Sequence, residues 1–124
     1  MKISVKTIKY WLPAIFWMGL IFVFSSIPNL VDPLGFDPSG YIKHAVEYLI
    51  FGLFLSFGLS KSNIEAKKKI ILLTLVIGFL YGASDEFHQS LVPGRNASVF
   101  DLLTDAIGAL IGSIIYSYRK KIKI

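Results

Sequence analysis

The stretch from Tyr10 to Ile27, YWLPAIFWMGLIFVFSSI, runs for eighteen residues without a charge. As a helix it rises about 27 Å, close to the roughly 30 Å hydrocarbon core of a bilayer. Working outward, three further runs of similar length follow, at residues 41–60, 70–91 and 99–118. The four spans take up about 80 of the 124 residues, leaving short tails and loops and no room for a soluble domain. This predicts an all-α polytopic membrane protein, a four-transmembrane-helix bundle filling residues 1–124 as a single domain. Composition agrees. Hydrophobic residues make up 54% and charged residues 17%, against about 45–50% and about 25% in soluble domains. The mean hydropathy of +0.62 also excludes a disordered chain. With no cysteine there are no disulfides, thiolate metal sites, iron–sulfur clusters or cysteine nucleophiles.

Lys and Arg set the orientation. Lys2, Lys6 and Lys9 precede the first span, Lys61 and Lys67–Lys69 lie between the second and third, and Arg119, Lys120, Lys121 and Lys123 follow the fourth. Eleven of the thirteen basic residues thus fall on one side, which the positive-inside rule makes cytoplasmic, with both termini inside. The net charge of +5 is therefore a matter of topology and inner-leaflet contact, and no nucleic-acid partner is expected. The basic start, apolar run and small Ser25-Ser26 pair also look like a signal peptide. The run is too long for one, however, and no A-x-A-like site follows, so it reads as a retained helix with Pro13 in its first turn. Trp11, Trp17 and Tyr10 fit an interfacial aromatic belt.

Seven of the eight acids lie on the opposite, outer side, and only Glu65 does not. Glu47 is near the start of the second span, Asp85 and Glu86 near the end of the third, and Asp101 and Asp105 near the start of the fourth. His44 and His88 share their depth, as do Lys43 and Arg95, the two basic residues outside the cytoplasmic set. Ionisable groups at membrane depth are costly and mark functional sites by default. Helical spacing sharpens the layer. Asp101, Asp105, Gly108 and Gly112 fall within about 60° of arc, so acids and a close-approach G-x-x-x-G motif share one face. Gly78, Tyr81, Gly82, Asp85, His88 and Gln89 fall within about 120°, with Glu86 at the edge, and Lys43, His44, Glu47 and Tyr48 within about 140°. The link Val92-Pro93-Gly94-Arg95-Asn96-Ala97 makes the third and fourth helices neighbours and holds Arg95 over the layer. Ser98 is a good N-cap, with Asp101 completing an imperfect capping box. The Pro- and Gly-rich loop from Pro28 to Gly40 is expected to cover the outer surface.

These residues also carry a family signature. Lys43-His44-x-x-Glu47-Tyr48, Tyr81-Gly82-x-x-Asp85-Glu86-x-His88-Gln89, Pro93-Gly94-Arg95-x-x-Ser98-x-x-Asp101 and Gly108-x-x-x-Gly112, in this order and spacing, resemble the VanZ-like membrane proteins, and Ser25-Ser26-x-Pro28 fits too. The founding members are associated with low-level resistance to the glycopeptide antibiotic teicoplanin. The resemblance implies a multi-pass protein of the bacterial cytoplasmic membrane with a role at the cell envelope, and brings no established reaction. In one departure, the family commonly has Asn where this chain has Asp105.

Several functions compete for the layer. Lys43 and Arg95 against five carboxylates leave three negative charges in excess, which must be protonated, solvated or bound to a cation. The helix dipole favours Asp101 at an N-terminus and disfavours Asp85 and Glu86 near a C-terminus, so these two need a partner or ligand. One reading is a polar lock between helices. A second is an outward-facing site for an anionic lipid-linked cell-wall precursor or other phosphate-bearing lipid, gripped by Arg95 and Lys43 with His44, Glu47, Tyr48, Gln89, Asp101 and Asp105 around it. A third adds chemistry. Glu86, Asp85 and His88 would be catalytic, and His44, Asp85, His88 and Asp101 are the residue types of an oxygen/nitrogen site for a divalent metal. A proton pathway through Glu47, Asp85 and Asp105 fails because the inner two-thirds of each span lacks ionisable groups.

Overall fold

The computed structural model of the protein describes residues 5–27, 40–94 and 97–119. The described residues form four helices long and apolar enough to cross a membrane, and no strand. They are α1 (Val5–Ser25), α2 (Tyr41–Ser60), α3 (Lys67–Ser90) and α4 (Val99–Tyr118). The second and fourth coincide with the expected spans. The others begin earlier, at Val5 and Lys67, because a charge-free run stops at a lysine whereas helical hydrogen bonding does not. Since α1 starts at Val5, Pro13 lies inside the span rather than in its first turn. Its missing N–H deprives the Lys9 carbonyl of the usual partner four residues on. The backbone responds with a 3-10 turn over Lys9–Trp11, in which the Leu12 N–H donates to the Lys9 carbonyl instead.

Burial is inverted relative to a water-soluble domain. Among the described residues thirteen polar or charged side chains are buried and nine apolar ones. Phe16, Phe22, Phe87 and Phe100 meanwhile stand 54–68% exposed. Such a surface is stable against lipid tails and would associate in water. Length, hydropathy and this inversion together make the chain a multi-pass membrane protein.

Small residues bring the helices together. A Cβ built on Gly112 would lie 2.1 Å from the Leu49 carbonyl oxygen, and one on Gly108 2.5 Å from that of Ala45. On α2, a Cβ built on Gly52 would in turn lie 2.4 Å from the Ala109 carbonyl oxygen. Thus α2 and α4 touch backbone to backbone. Helix α3 rests on α4 through Gly78, against the Ala109 methyl, and Gly82, against the Asp105 side chain. At mid-depth the fully buried Ser56 bonds Thr74 at 3.1 Å and Ser113 at 2.8 Å, tying α2, α3 and α4 in the apolar slab.

Helix α1 leans on the others more lightly. The Trp11 indole covers Gly58 and donates to Ser62 Oγ at 3.0 Å, and the Tyr81 hydroxyl donates to the Met18 carbonyl at 2.6 Å. Trp17, expected in an interfacial belt, packs edge-on to Phe54 and donates its N–H to the Glu47 carbonyl at 2.8 Å. It is an anchor between helices. The four helices alternate in direction. One end of the bundle gathers Lys6, Lys9, Lys61, Lys67–Lys69 and Arg119 with Glu65, and the other gathers Glu47, Asp85, Glu86, Asp101 and Asp105.

Candidate functional site

Local backbone signals set the polar end. Gly40 is the N-cap of α2 with φ +77, a left-handed conformation that favours glycine, and its carbonyl accepts the His44 N–H at 3.0 Å. This starts the helix four residues before His44. Ser98 is the N-cap of α4, its hydroxyl oxygen accepting the Asp101 N–H at 3.0 Å. In a capping box the third residue of the helix reaches back to the N-cap N–H, for which Glu is long enough. Here that N–H donates instead to Glu86 Oε2, 3.0 Å away on α3. The box is completed by another helix, which fixes where α4 begins and where Glu86 points. Ser98→Ala is expected to cost about 1 kcal/mol of stability. Glu86→Gln, which keeps a carbonyl acceptor, should cost less than Glu86→Ala. Denaturant-driven unfolding in detergent measures both.

Around this junction four side chains from three helices converge. His44, Asp85, Glu86 and Asp105 are all buried, and each offers one donor atom within 4.8 Å of the others. The His44 Nδ1 stands 2.7 Å from Asp105 Oδ1. Asp85 accepts from the Ser25 hydroxyl at Oδ1 and from the Tyr48 hydroxyl, 3.2 Å away, at Oδ2. The Gln89 amide donates to Ser25 Oγ at 3.3 Å, so Ser25 is itself oriented. All four helices contribute, with the cluster one to two turns inside the helix ends.

The remaining residues singled out by the sequence lie around this group. His88 sits apart, on the α1 side. Its Nε2 is 2.9 Å from Ser26 Oγ and its ring is 4.5 Å from that of Phe22. Because the Ser26 hydroxyl already donates to the Phe22 carbonyl, the His88 Nε2 is the donor to Ser26, which commits that nitrogen. Asp101 is buried next to the N-cap. Glu47 pairs with Lys43, Oε1 to Nζ 3.0 Å, a contact of charges without hydrogen-bond alignment, and the Lys43 side chain is 37% exposed at the rim. Tyr48 and Gln89 are both buried. Arg95 and the loop from Pro28 lie outside the described residues. Ser25 went unnoticed as a site residue. Its signal was present, a hydroxyl at the depth of the acids at the end of the charge-free run from Tyr10 to Ile27.

Electrostatically the cluster is unbalanced. Three carboxylates and one imidazole share a small buried volume, and among the described residues no Lys or Arg pairs with any of the three. Glu86 Oε1, Asp101 Oδ1 and Asp105 Oδ2 are buried without a hydrogen-bond partner. Buried acceptors in folded proteins are almost always partnered, and leaving one bare costs about 1–3 kcal/mol, more where charged. The arrangement therefore suits a positively charged guest or shared protons. It can also relay a proton between Asp105 and His44, the elementary step of general acid–base chemistry.

No curated protein and no solved structure matches the chain. The VanZ/LLP1 family model matches residues 10–120, which takes in all the helical elements that build the polar end. With that match over nearly the whole sequence, the chain belongs to the VanZ-like family of membrane proteins.

Proposed function

We propose that this envelope membrane protein binds the anionic headgroup of a lipid, of the class of lipid-linked cell-wall precursors or a glycopeptide-related ligand, at its acidic–imidazole end. The protein sits in the bacterial cytoplasmic membrane with both termini in the cytoplasm, the polar end facing outward. The distribution of Lys and Arg supports that direction, and the family's association with teicoplanin resistance supports the class of ligand.

One observation carries the reading. Three carboxylate oxygens are buried without partners at the polar end. A lock between helices needs every polar group satisfied, since a half-satisfied network is worse than an apolar one. Bare carboxylate oxygens at one end of the bundle mark a site awaiting a positive charge, through which an anionic headgroup would be held. Lys43, whose ammonium stands beside Glu47 and 6.0 Å from the centre of the Phe24 ring, supplies a positive charge at the polar end, and Arg95 in the sequence link between α3 and α4 would supply a second. A second reading, hydrolysis or transfer at the lipid phosphate, draws on the His44–Asp105 contact with Glu86 alongside.

The test uses purified protein in nanodiscs with a short-chain polyprenyl phosphate and, as control, a zwitterionic phospholipid, in buffer containing divalent cation. Saturable binding of the phosphate lipid alone is expected, weakened about tenfold by Lys43→Ala combined with Arg95→Ala in a protein that keeps its helical spectrum. Equal binding of both lipids, or none, overturns the proposal. Phosphate release abolished by Glu86→Gln would establish the catalytic reading.

A further inference from the structure

We infer that His44, Asp85, Glu86 and Asp105 form a binding site for one divalent transition-metal cation. The inference deepens the lipid reading and rests on the same site, but cation binding is measured with no lipid added, so the two can fail separately. It also removes a difficulty in that reading. An anionic phosphate has no reason to approach three carboxylates unless a cation stands between them.

Four observations carry it. The donor atoms of the four residues lie within 4.8 Å of one another. Two ligands of one ion at about 2.1 Å lie about 3.4 Å apart in a tetrahedral shell and about 4.2 Å apart at most, so movements of under about an ångström by each side chain close the shell. The groups come from α2, α3 and α4, whose glycine contacts hold the backbones at fixed separation, which makes the site preorganised. Two of the four still have an oxygen to give. Asp105 is 0% exposed with Oδ2 unpartnered, and Glu86 is 8% exposed with Oε1 unpartnered, its other oxygen tied to the Ser98 N–H. Asp85, by contrast, is oriented by the Ser25 and Tyr48 hydroxyls, the kind of outer hydrogen bonding that positions metal-binding carboxylates.

The donor set narrows the metal. Three oxygens and one imidazole nitrogen suit Mn2+ or Zn2+ better than Mg2+ or Ca2+, which take oxygen alone. The 2.7 Å contact between His44 Nδ1 and Asp105 Oδ1 needs a shared proton when no metal is bound. A bound ion would take over the role of that proton, which then leaves or moves to the imidazole Nε2. His88 and Asp101, which the residue types also suggest as ligands, are outside the set. The Nε2 of His88 is engaged by Ser26, and Asp101, in the first turn of α4, is not among the four converging groups.

The experiment is a titration of chelator-stripped, detergent-purified full chain with Mn2+ alone, followed by the loss of the free-ion electron spin resonance signal, with Zn2+ as competitor. About one equivalent should bind, with the melting temperature raised. Asp85→Asn and Glu86→Gln should each weaken binding at least about tenfold, while Glu65→Gln, an exposed acid at the other end, should not. If those variants fail to fold, the folded wild type still decides. Pulsed resonance of the bound Mn2+ should show a nitrogen coupling that shifts with 15N-histidine labelling and survives His88→Gln. Absence of a bound equivalent, or binding with no nitrogen coupling, overturns the inference.

Discussion

Gly112→Leu is expected to abolish the folded bundle, and Gly112→Ala to weaken it by about 3 kcal/mol or more, at the upper end of overpacking costs. Even the alanine Cβ would be placed 2.1 Å from the Leu49 carbonyl oxygen and about 3 Å from the Leu53 amide nitrogen. Both obstacles are backbone and neither can rotate aside. Helix α2 would have to back away from α4, and the contacts one and two turns nearer the polar end, Gly108 on Ala45 and His44 on Asp105, would open with it. Gly19→Ala is the matched control. A Cβ there meets nothing within 4 Å, so the change should be neutral or up to about 1 kcal/mol stabilising through helix propensity. Unfolding in mixed detergent with a denaturing surfactant, followed by near-ultraviolet circular dichroism, ranks the three. A Gly112→Ala protein within a few tenths of a kcal/mol of wild type would mean that α2 and α4 are not in backbone contact.

How far the sequence announced this architecture depends on the physics behind each signal. The spans were legible because length and hydropathy act through the backbone's need to satisfy its own hydrogen bonds in lipid, a constraint that every residue of a span reports. The arc shared by Asp101, Asp105, Gly108 and Gly112 was legible because helical periodicity is rigid. Which helix that arc faces was not. Gly52 reveals it only in three dimensions, where it meets Ala109. The polar layer was likewise visible as a depth, but depth does not fix direction around the helix axis at the level of single side chains. Glu86, read as lying at the edge of the α3 stripe, turns inward because the Ser98 N–H needs an acceptor and Asp101 does not supply one. His88, read as sharing the stripe, turns to α1 because Ser26 and Phe22 offer it a hydroxyl and a ring. Contacts between distant segments decided both.

The second large effect concerns His44. His44→Leu is expected to destabilise the protein by about 3–5 kcal/mol, since it leaves Asp105 fully buried with no partner on either oxygen. Asp105→Asn should be mild, because the amide keeps a group able to bond Nδ1 and removes the charge. The informative protein is the double variant. Once position 105 is neutral, losing the imidazole no longer strands a carboxylate, so His44→Leu should cost about 2 kcal/mol less in the Asn background than in the Asp background, within the range seen for directly contacting pairs. Additivity to within about 0.5 kcal/mol would show that the two side chains do not meet in the folded protein. The same cycle separates architecture from function. Asp105→Asn alone keeps the helices together but removes one carboxylate from the four-donor set, so a well-folded protein with weakened Mn2+ binding is expected. If instead stability and cation binding fall together across all three variants, the polar end is holding the bundle together rather than holding a guest.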